Sequence, residues 1–205
     1  TNIVSITGKI GNALNKTASG TYRAINTTAR NLPLSASNTN WTLNYWIMHT
    51  SGTANSIFFQ WGGTWAGNNA NIFLMDGSTY KWYWGAASDA RGNTGVGATM
   101  GVWKMHTWAY DDNANILGFY VDGVSIINMT TISDSSANDD IFFGDITGLP
   151  SFIGALDEVG LWNRSLTQAE ITLKYNSGNG CAYGNESCYG VPNVAPTVTL
   201  QNPTD

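Results

Sequence analysis

Gly118 to Ile127, GFYVDGVSII, holds two alternating apolar runs joined by Asp122 and Gly123 alone. A two-residue link between antiparallel strands needs positive φ at both positions, which Asp-Gly tolerates best, so the sequence predicts a tight hairpin here. A lone hairpin is marginal in water, so other strands must cover it. Candidates recur along the chain at short spacing: Trp41 to Met48, Ser56 to Gln60, Asn71 to Met75, Tyr80 to Trp84, Trp103 to Tyr110, Asp140 to Gly144 and Phe152 to Trp162. Clusters of Gly, Asn, Asp and Ser separate them. In WTLNYWIM, Trp41, Leu43, Tyr45 and Ile47 fall on one face and Trp46 and Met48 on the other. Both faces are largely apolar, which predicts a central strand.

One helix is legible. Thr167 is placed to cap an N-terminus, Glu170 to return a bond to the cap backbone, and Leu166 and Ile171 to form the staple. Ile171 and Tyr175 share a face at i, i+4, and Gly178 stands just past the expected end. The pattern predicts a single amphipathic helix of roughly two to three turns on a β body.

Charge narrows the function. Nine Lys+Arg stand against 14 Asp+Glu, a net charge of -5, and only 11% of residues are charged. That excludes the basic face of a nucleic-acid binder and the charge pattern of a coiled coil, while 23 Gly and many Asn, Ser and Thr supply a neutral polar surface. No apolar run reaches the roughly 18 residues of a membrane helix. Residues 1 to 20 lack the plan of a signal peptide, so the chain reads as mature or excised.

The two cysteines, Cys181 and Cys188, lie in CAYGNESC, a loop able to bring them within bonding distance. Without a nearby His the pair is a poor zinc site, and it reads as a disulfide formed in an oxidising compartment. Six N-x-S/T sequons, at Asn15, Asn26, Asn40, Asn128, Asn163 and Asn185, fit an extracellular glycoprotein, although an Asn- and Thr-rich chain also generates sequons by chance. After the cysteines the composition shifts to VPNVAPTVTLQNPTD, in which Pro192, Pro196 and Pro203 bracket an alternating run. The expected organisation is a domain over 1–180, a disulfide loop over 181–190, and a 191–205 linker or strand-forming arm toward a following domain or a neighbouring subunit.

The order of motifs resembles the laminin G-like, concanavalin A-like lectin/glucanase family. GKIGNAL (Gly8 to Leu14), TLNYWI (Thr42 to Ile47), VWKMHTWAYDDNANILGFYVDG (Val102 to Gly123) and FIGALDEVGLWNRSLTQAEITLKY (Phe152 to Tyr175) follow the family's pattern in matching order over residues 8 to 178. The resemblance implies an all-β, two-sheet antiparallel jelly-roll sandwich with one short C-terminal helix. It also implies a noncatalytic extracellular module that binds glycans or proteins, often with a structural calcium ion. Only TNIVSI precedes the first motif, so the strand that usually opens the family is expected to be short or missing. An edge left open there would accept the 191–205 arm, of this chain or of a copy.

Related folds include retaining glucanases, which need two carboxylates about 5 Å apart. This chain has three glutamates. Glu158 follows Asp157, so regular strand alternation would point the two apart; Glu170 belongs to the helix cap and Glu186 to the cysteine loop. No serine in a nucleophile-elbow pattern lies near His49 or His106, and a strand histidine is usually a packed ring. Asp157 matches the family position that commonly supplies a calcium carboxylate; the alternative is that it bonds neighbouring backbone.

Sugar binding would use aromatic platforms beside amides. WGGTWAGNNAN sets Trp65 near Asn68 and Asn69, and YKWYWG places Tyr80, Trp82 and Trp84 on one strand face, as a platform or as core between the sheets. The reading is a noncatalytic extracellular recognition or adhesion module for a glycan or cell-surface partner. The alternatives are a structural subunit of a surface layer or filament joined by its arm, and a divergent glycoside hydrolase.

Overall fold

A computed structural model describes residues 3–18, 21–25, 40–51, 56–62, 70–76, 79–83, 91–130, 141–144, 152–182 and 185. Among the described residues thirteen strands form two antiparallel sheets: β1 (Ile3–Thr7), β2 (Asn12–Lys16), β3 (Thr21–Ile25), β4 (Trp41–Ser51), β5 (Ser56–Gly62), β6 (Ala70–Asp76), β7 (Thr79–Tyr83), β8 (Arg91–Gly97), β9 (Lys104–Asp111), β10 (Ile116–Val121), β11 (Val124–Thr130), β12 (Ile141–Gly144) and β13 (Ile153–Trp162). The first sheet has the order β1-β2-β13-β4-β9-β10-β11 and the second β3-β12-β5-β6-β7-β8. The helix α1 (Gln168–Tyr175) follows β13 and runs into a single 3-10 turn, Asn176–Gly178. This is the jelly-roll sandwich expected, with one short C-terminal helix.

The central placement of β4 follows from its sequence. Its Trp41, Leu43, Tyr45 and Ile47 join Phe59, Tyr80, Trp82, Trp108, Leu117 and Phe119 in the core between the sheets. On the opposite face Trp46 packs with Met105, Ala109, Trp162, Leu166 and Ile171 under α1. The hairpin joining β10 to β11 turns at Asp122 (φ 52) and Gly123 (φ 79), the two positive values such a loop demands.

That turn is also an anchor. Asp122 accepts the Met105 N–H at 3.0 Å and the Lys104 ammonium at 2.6 Å, stitching the loop to β9. The Gly123 carbonyl accepts Gln168 Nε2 at 2.6 Å and Thr172 Oγ1 at 3.3 Å, stitching it to α1. A Cβ on Gly123 would stand 3.0 Å from Tyr175 Cβ, so glycine serves both the turn and the approach of the helix.

The opening strand, expected to be short or missing, is short: β1 is five residues long and paired with β2 in register Ile3↔Lys16 to Thr7↔Asn12. Two details depart from the sequence expectations. The helix is closed by Asn176 in the left-handed conformation (φ 49) instead of by a glycine at that position, Asn being tolerated there because its short side chain bonds locally; its Nδ2 donates to the Gly180 carbonyl at 3.0 Å. Strand β8, RGNTGVG, carries one large apolar residue among three glycines and shows no alternation to read; its place comes from pairing with β7, with Thr94 Oγ1 donating to the Tyr80 carbonyl at 2.9 Å.

The capping box forms as expected: the Glu170 N–H donates to Thr167 Oγ1 and the Thr167 N–H to Glu170 Oε2. Arg164 grips the same carboxylate with both guanidinium nitrogens, at 2.9 and 2.6 Å, and this hydrogen-bonded pairing holds the Glu170 carboxyl down to about 2. Thr167→Ala should cost about 1 kcal/mol of unfolding free energy, in the usual range for a lost cap. Glu170→Ala, which removes the acceptor of the Thr167 N–H and the Arg164 partner together, should cost more in a urea titration.

His49 and His106 are 1% and 0% exposed. Both flank the Tyr80 ring from the opposite sheet, at 5.5 and 4.3 Å between centroids, with Phe152 5.1 Å from His49 and Phe119 5.3 Å from His106. Burial lowers His49 to about 4, and burial together with the neighbouring charges of His49 and Lys104 lowers His106 well below its usual value. The unfolded chain takes up protons below about 6.5 while the folded chain resists them, so stability is full above that pH and falls as pH drops toward 4. For His49 alone the loss should be on the order of 3 kcal/mol, at about 1.4 kcal/mol per pH unit. Urea midpoints between pH 7 and 4.5 should show it, and the slope should flatten in His49→Phe and His106→Phe.

Candidate functional site

The two faces of the sandwich differ. The outer face of the first sheet lies under α1, and no described helix lies on the second sheet. In that sheet Phe59, Phe73 and Trp82 pair in one row with Phe59 and Trp82 buried against the core. One residue along each strand the register aligns Arg23, Phe142, Gln60, Ile72, Tyr83 and Arg91 in a single row, one position from each of the six strands. Two residues further along, the register aligns Leu74, Lys81 and Asn93, and beyond them Asp76 and Thr79.

The segments at one end of this row include those that the sequence singled out. Residues 63–69, with Trp65, Asn68 and Asn69, join β5 to β6 immediately past Gln60 and before Ile72, and residues 84–90, with Trp84, join β7 to β8 between Tyr83 and Arg91. Trp65, Asn68, Asn69 and Trp84 themselves lie outside the described residues, but the topology brings their segments to the same end of the second sheet. Trp82 is a correction. It is 6% exposed and meets Trp108 edge-on at 6.1 Å, and Trp108 in turn stacks on Phe119 at 4.1 Å, so its ring fills the core and offers no face to a sugar. Strands β3 and β8, which bring Arg23 and Arg91 into register with that row, were not legible in the sequence, and only pairing reveals which positions line up.

Asp157 is 6% exposed. Its Oδ2 accepts the Ile10 N–H at 2.8 Å and its Oδ1 accepts the Glu158 N–H at 2.8 Å, fixing the β1–β2 turn against β13. Gly8 sits so close to this carboxylate that a Cβ there would collide with Oδ2. Alternation does not separate Asp157 from Glu158, because Glu158 adopts φ 48 and the register skips from Asp157↔Trp46 to Gly160↔Asn44. This bulge carries Glu158 to where its charge acts on Lys174, whose ammonium is 2.8 Å from the Cys181 carbonyl and 5.4 Å from the Trp162 ring centre. Burial lowers the Lys174 ammonium to about 8.

Calcium takes six to eight oxygen ligands. Among the described residues no group of three or more His, Cys, Asp or Glu is gathered for a metal ion, and Asp157 brings one carboxylate already bonded to two backbone amides, a donor set that does not fit the ion by itself. Glu170 and Asp122 are likewise held by backbone amides and a cation of their own scaffold.

Among the sequon asparagines, Asn128, Asn163 and Asn185 are exposed, Asn15 and Asn40 are half-buried, and Asn26 lies outside the described residues. Asn40 Oδ1 accepts the Asp112 N–H at 2.7 Å. Cys181 is buried and no described cysteine is free; Cys188 and the 191–205 arm lie outside the described residues.

Comparisons place this geometry. Domain 4 of AbnA, a GH43 extracellular arabinanase from Geobacillus stearothermophilus, in complex with arabinotriose, superposes with a TM-score of 0.64 at 18% identity, over 84% of this chain and 80% of that one. The Ruminococcus gnavus IT-sialidase CBM40 bound to alpha2,3 sialyllactose gives 0.62 at 12% identity, over 78% and 94%. The Botulinum neurotoxin serotype G binding domain gives 0.64 at 11%, over 87% of this chain and 45% of that one. Such identities speak for shared fold alone. No curated protein matches by sequence. Residues 19–172 do match a sequence family, and the chain belongs to the concanavalin A-like lectin/glucanases superfamily.

Proposed function

We propose that the chain is a noncatalytic carbohydrate-recognition module of an extracellular or surface-displayed protein. The observation that carries this reading is the second sheet, on which no described helix lies and whose β5–β6 and β7–β8 connections, bearing Trp65 and Trp84, join its strands at one end. A broad sheet face beside aromatic and amide-rich loops suits a sugar chain, which stacks its C–H faces on rings and presents its hydroxyls to planar polar groups. Two similar structures of this fold contain arabinotriose and sialyllactose, which makes a glycan the natural first class to test. The scaffold roles of Asp122, Asp157 and Glu170 support binding without hydrolysis.

The module should retain glycans on an array while releasing no new reducing ends from them, and Trp65→Ala should weaken retention at least tenfold with an unchanged melting temperature. Release of sugar abolished by changing one carboxylate would instead establish a hydrolase. The same reading places a Cys181–Cys188 disulfide in the folded chain; intact mass after alkylation should show no modified cysteine unless reductant is added first. Asp157→Ala should lower the melting temperature, since it orphans two backbone donors, whereas EDTA should leave the wild-type melt unchanged; a chelator-sensitive melt would place an ion at this carboxylate.

One observation favours a second reading. Strand β1 ends the first sheet, with Val4 exposed on it and Leu14 exposed on β2, an edge to which an added strand would pair. A subunit joined by its 191–205 arm would form ordered oligomers in light scattering that vanish on deletion of those residues.

A further inference from the structure

The chain has two histidines, and both are buried where the sheets meet. His49 on β4 and His106 on β9 belong to the first sheet, and both pack against one ring of the second, Tyr80 on β7, at 5.5 and 4.3 Å between centroids. Phe152 closes on His49 and Phe119 on His106, both edge-on. The helix-side core of Trp46, Met105, Ala109, Trp162, Leu166 and Ile171 contains neither imidazole. Histidine titration therefore acts on one of the two cores, at a ring that the other sheet supplies.

That ring sits on a terminal part of the second sheet. Strand β8 ends the sheet and pairs with β7, so the two form a unit joined to the rest through the pairing of β7 with β6. Tyr80 binds the unit together, its carbonyl accepting Thr94 Oγ1 at 2.9 Å. With Trp82, which meets Trp108 edge-on at 6.1 Å, it is the part of β7 that enters the core. Strand β8 adds Val96, packed against the core, and three glycines that have no side chain to pack. Expelling Tyr80 would thus remove a large share of what holds β7 and β8 down.

Among the described residues, the titratable and charged groups facing the pair are Tyr45 on β4, 5.5 Å from His106, Tyr80 on β7, and Lys104 on β9, whose charge, like that of His49, opposes a proton on His106. Asp122, in the turn between β10 and β11, acts on Tyr80 and is itself held by the Lys104 ammonium and the Met105 N–H. Burial raises both tyrosines, so they stay neutral in acid. Burial also lowers both imidazoles, His49 to about 4. With folded values depressed, protons favour any state that lets the rings reach water, increasingly so as pH falls from about 6.5 toward 4. On the helix side Glu170, held down to about 2, stays ionised beside Arg164 over this range, and Lys174, at about 8, stays protonated.

We infer that β7 and β8 form an acid-released flap: protons taken up by His49 and His106 drive out Tyr80 and detach the two strands from the first sheet, while β4, β9, β13 and α1 keep the helix-side core closed. The device is independent of any ligand.

Hydrogen exchange of the whole chain tests this, read peptide by peptide by mass spectrometry at about pH 7 and about pH 4.5 and corrected for the intrinsic pH dependence of exchange. Each imidazole that regains its ordinary proton affinity on opening multiplies the open population by roughly 60 between those two conditions. Peptides covering 79–97 should therefore exchange at least about 100-fold faster in acid, and those covering 41–51, 104–111 and 153–175 less than about tenfold faster. His49→Phe and His106→Phe should each cut the acid response of 79–97 by about tenfold or more, and the double variant should abolish it. His49→Leu and His106→Leu serve the same purpose if phenylalanine is not accommodated. Acceleration spread evenly over both sheets, no acceleration of 79–97 in acid, or a full acid response in the double variant would overturn the inference. The first two outcomes are read on the wild-type chain and need no variant to fold.

Discussion

Strand β4 is the member on which the rest of the structure depends, because it is buried from both sides. Leu43, Tyr45 and Ile47 face the second sheet, while Trp46 faces α1 and carries Tyr175 stacked at 5.9 Å. Two separate cores therefore share one strand. Asn44 would be costly there unless bonded, and its amide donates to Thr107 Oγ1 at 2.7 Å and the His106 carbonyl at 3.2 Å, tying β4 to β9 from within. Thr42 does the same toward the helix, donating to the Arg164 carbonyl and accepting the Leu166 N–H.

The helix side is fastened at several points. The Asp122–Gly123 turn, the Arg164–Glu170 pair, the capping box and the Lys174 contact to Cys181 all fasten α1 and the segment after it to the first sheet. The proposed recognition falls to the second sheet, on which no described helix lies.

Histidine burial shows the same economy of roles. His49 and His106 look like candidates for acid–base work when read by residue type, yet each is enclosed among Tyr80, Phe119 and Phe152, where a charged imidazole is disfavoured. Their effect falls on stability in acid and not on chemistry at the surface. Trp82 teaches the parallel lesson for aromatic residues. A strand stripe of rings reads equally as platform and as core, and only the position of the opposite sheet decides.

The sequence by itself determined what is written in local rules. The Asp122–Gly123 hairpin, the two-faced burial of β4 and the Thr167/Glu170 capping box each follow from bonds within a few residues or from a period of two, and the order of motifs carried the superfamily. Tertiary structure decided what depends on partners distant in sequence. Strand β8 exists because β7 pairs with it, Asp157 is fixed by an amide 147 residues away, and a positive φ at Glu158 bends β13 out of alternation. The row from Arg23 to Arg91 belongs to the same class: its members come from six strands spread across the chain, and no local pattern marks them, because a sheet face is assembled by register and not by proximity in sequence.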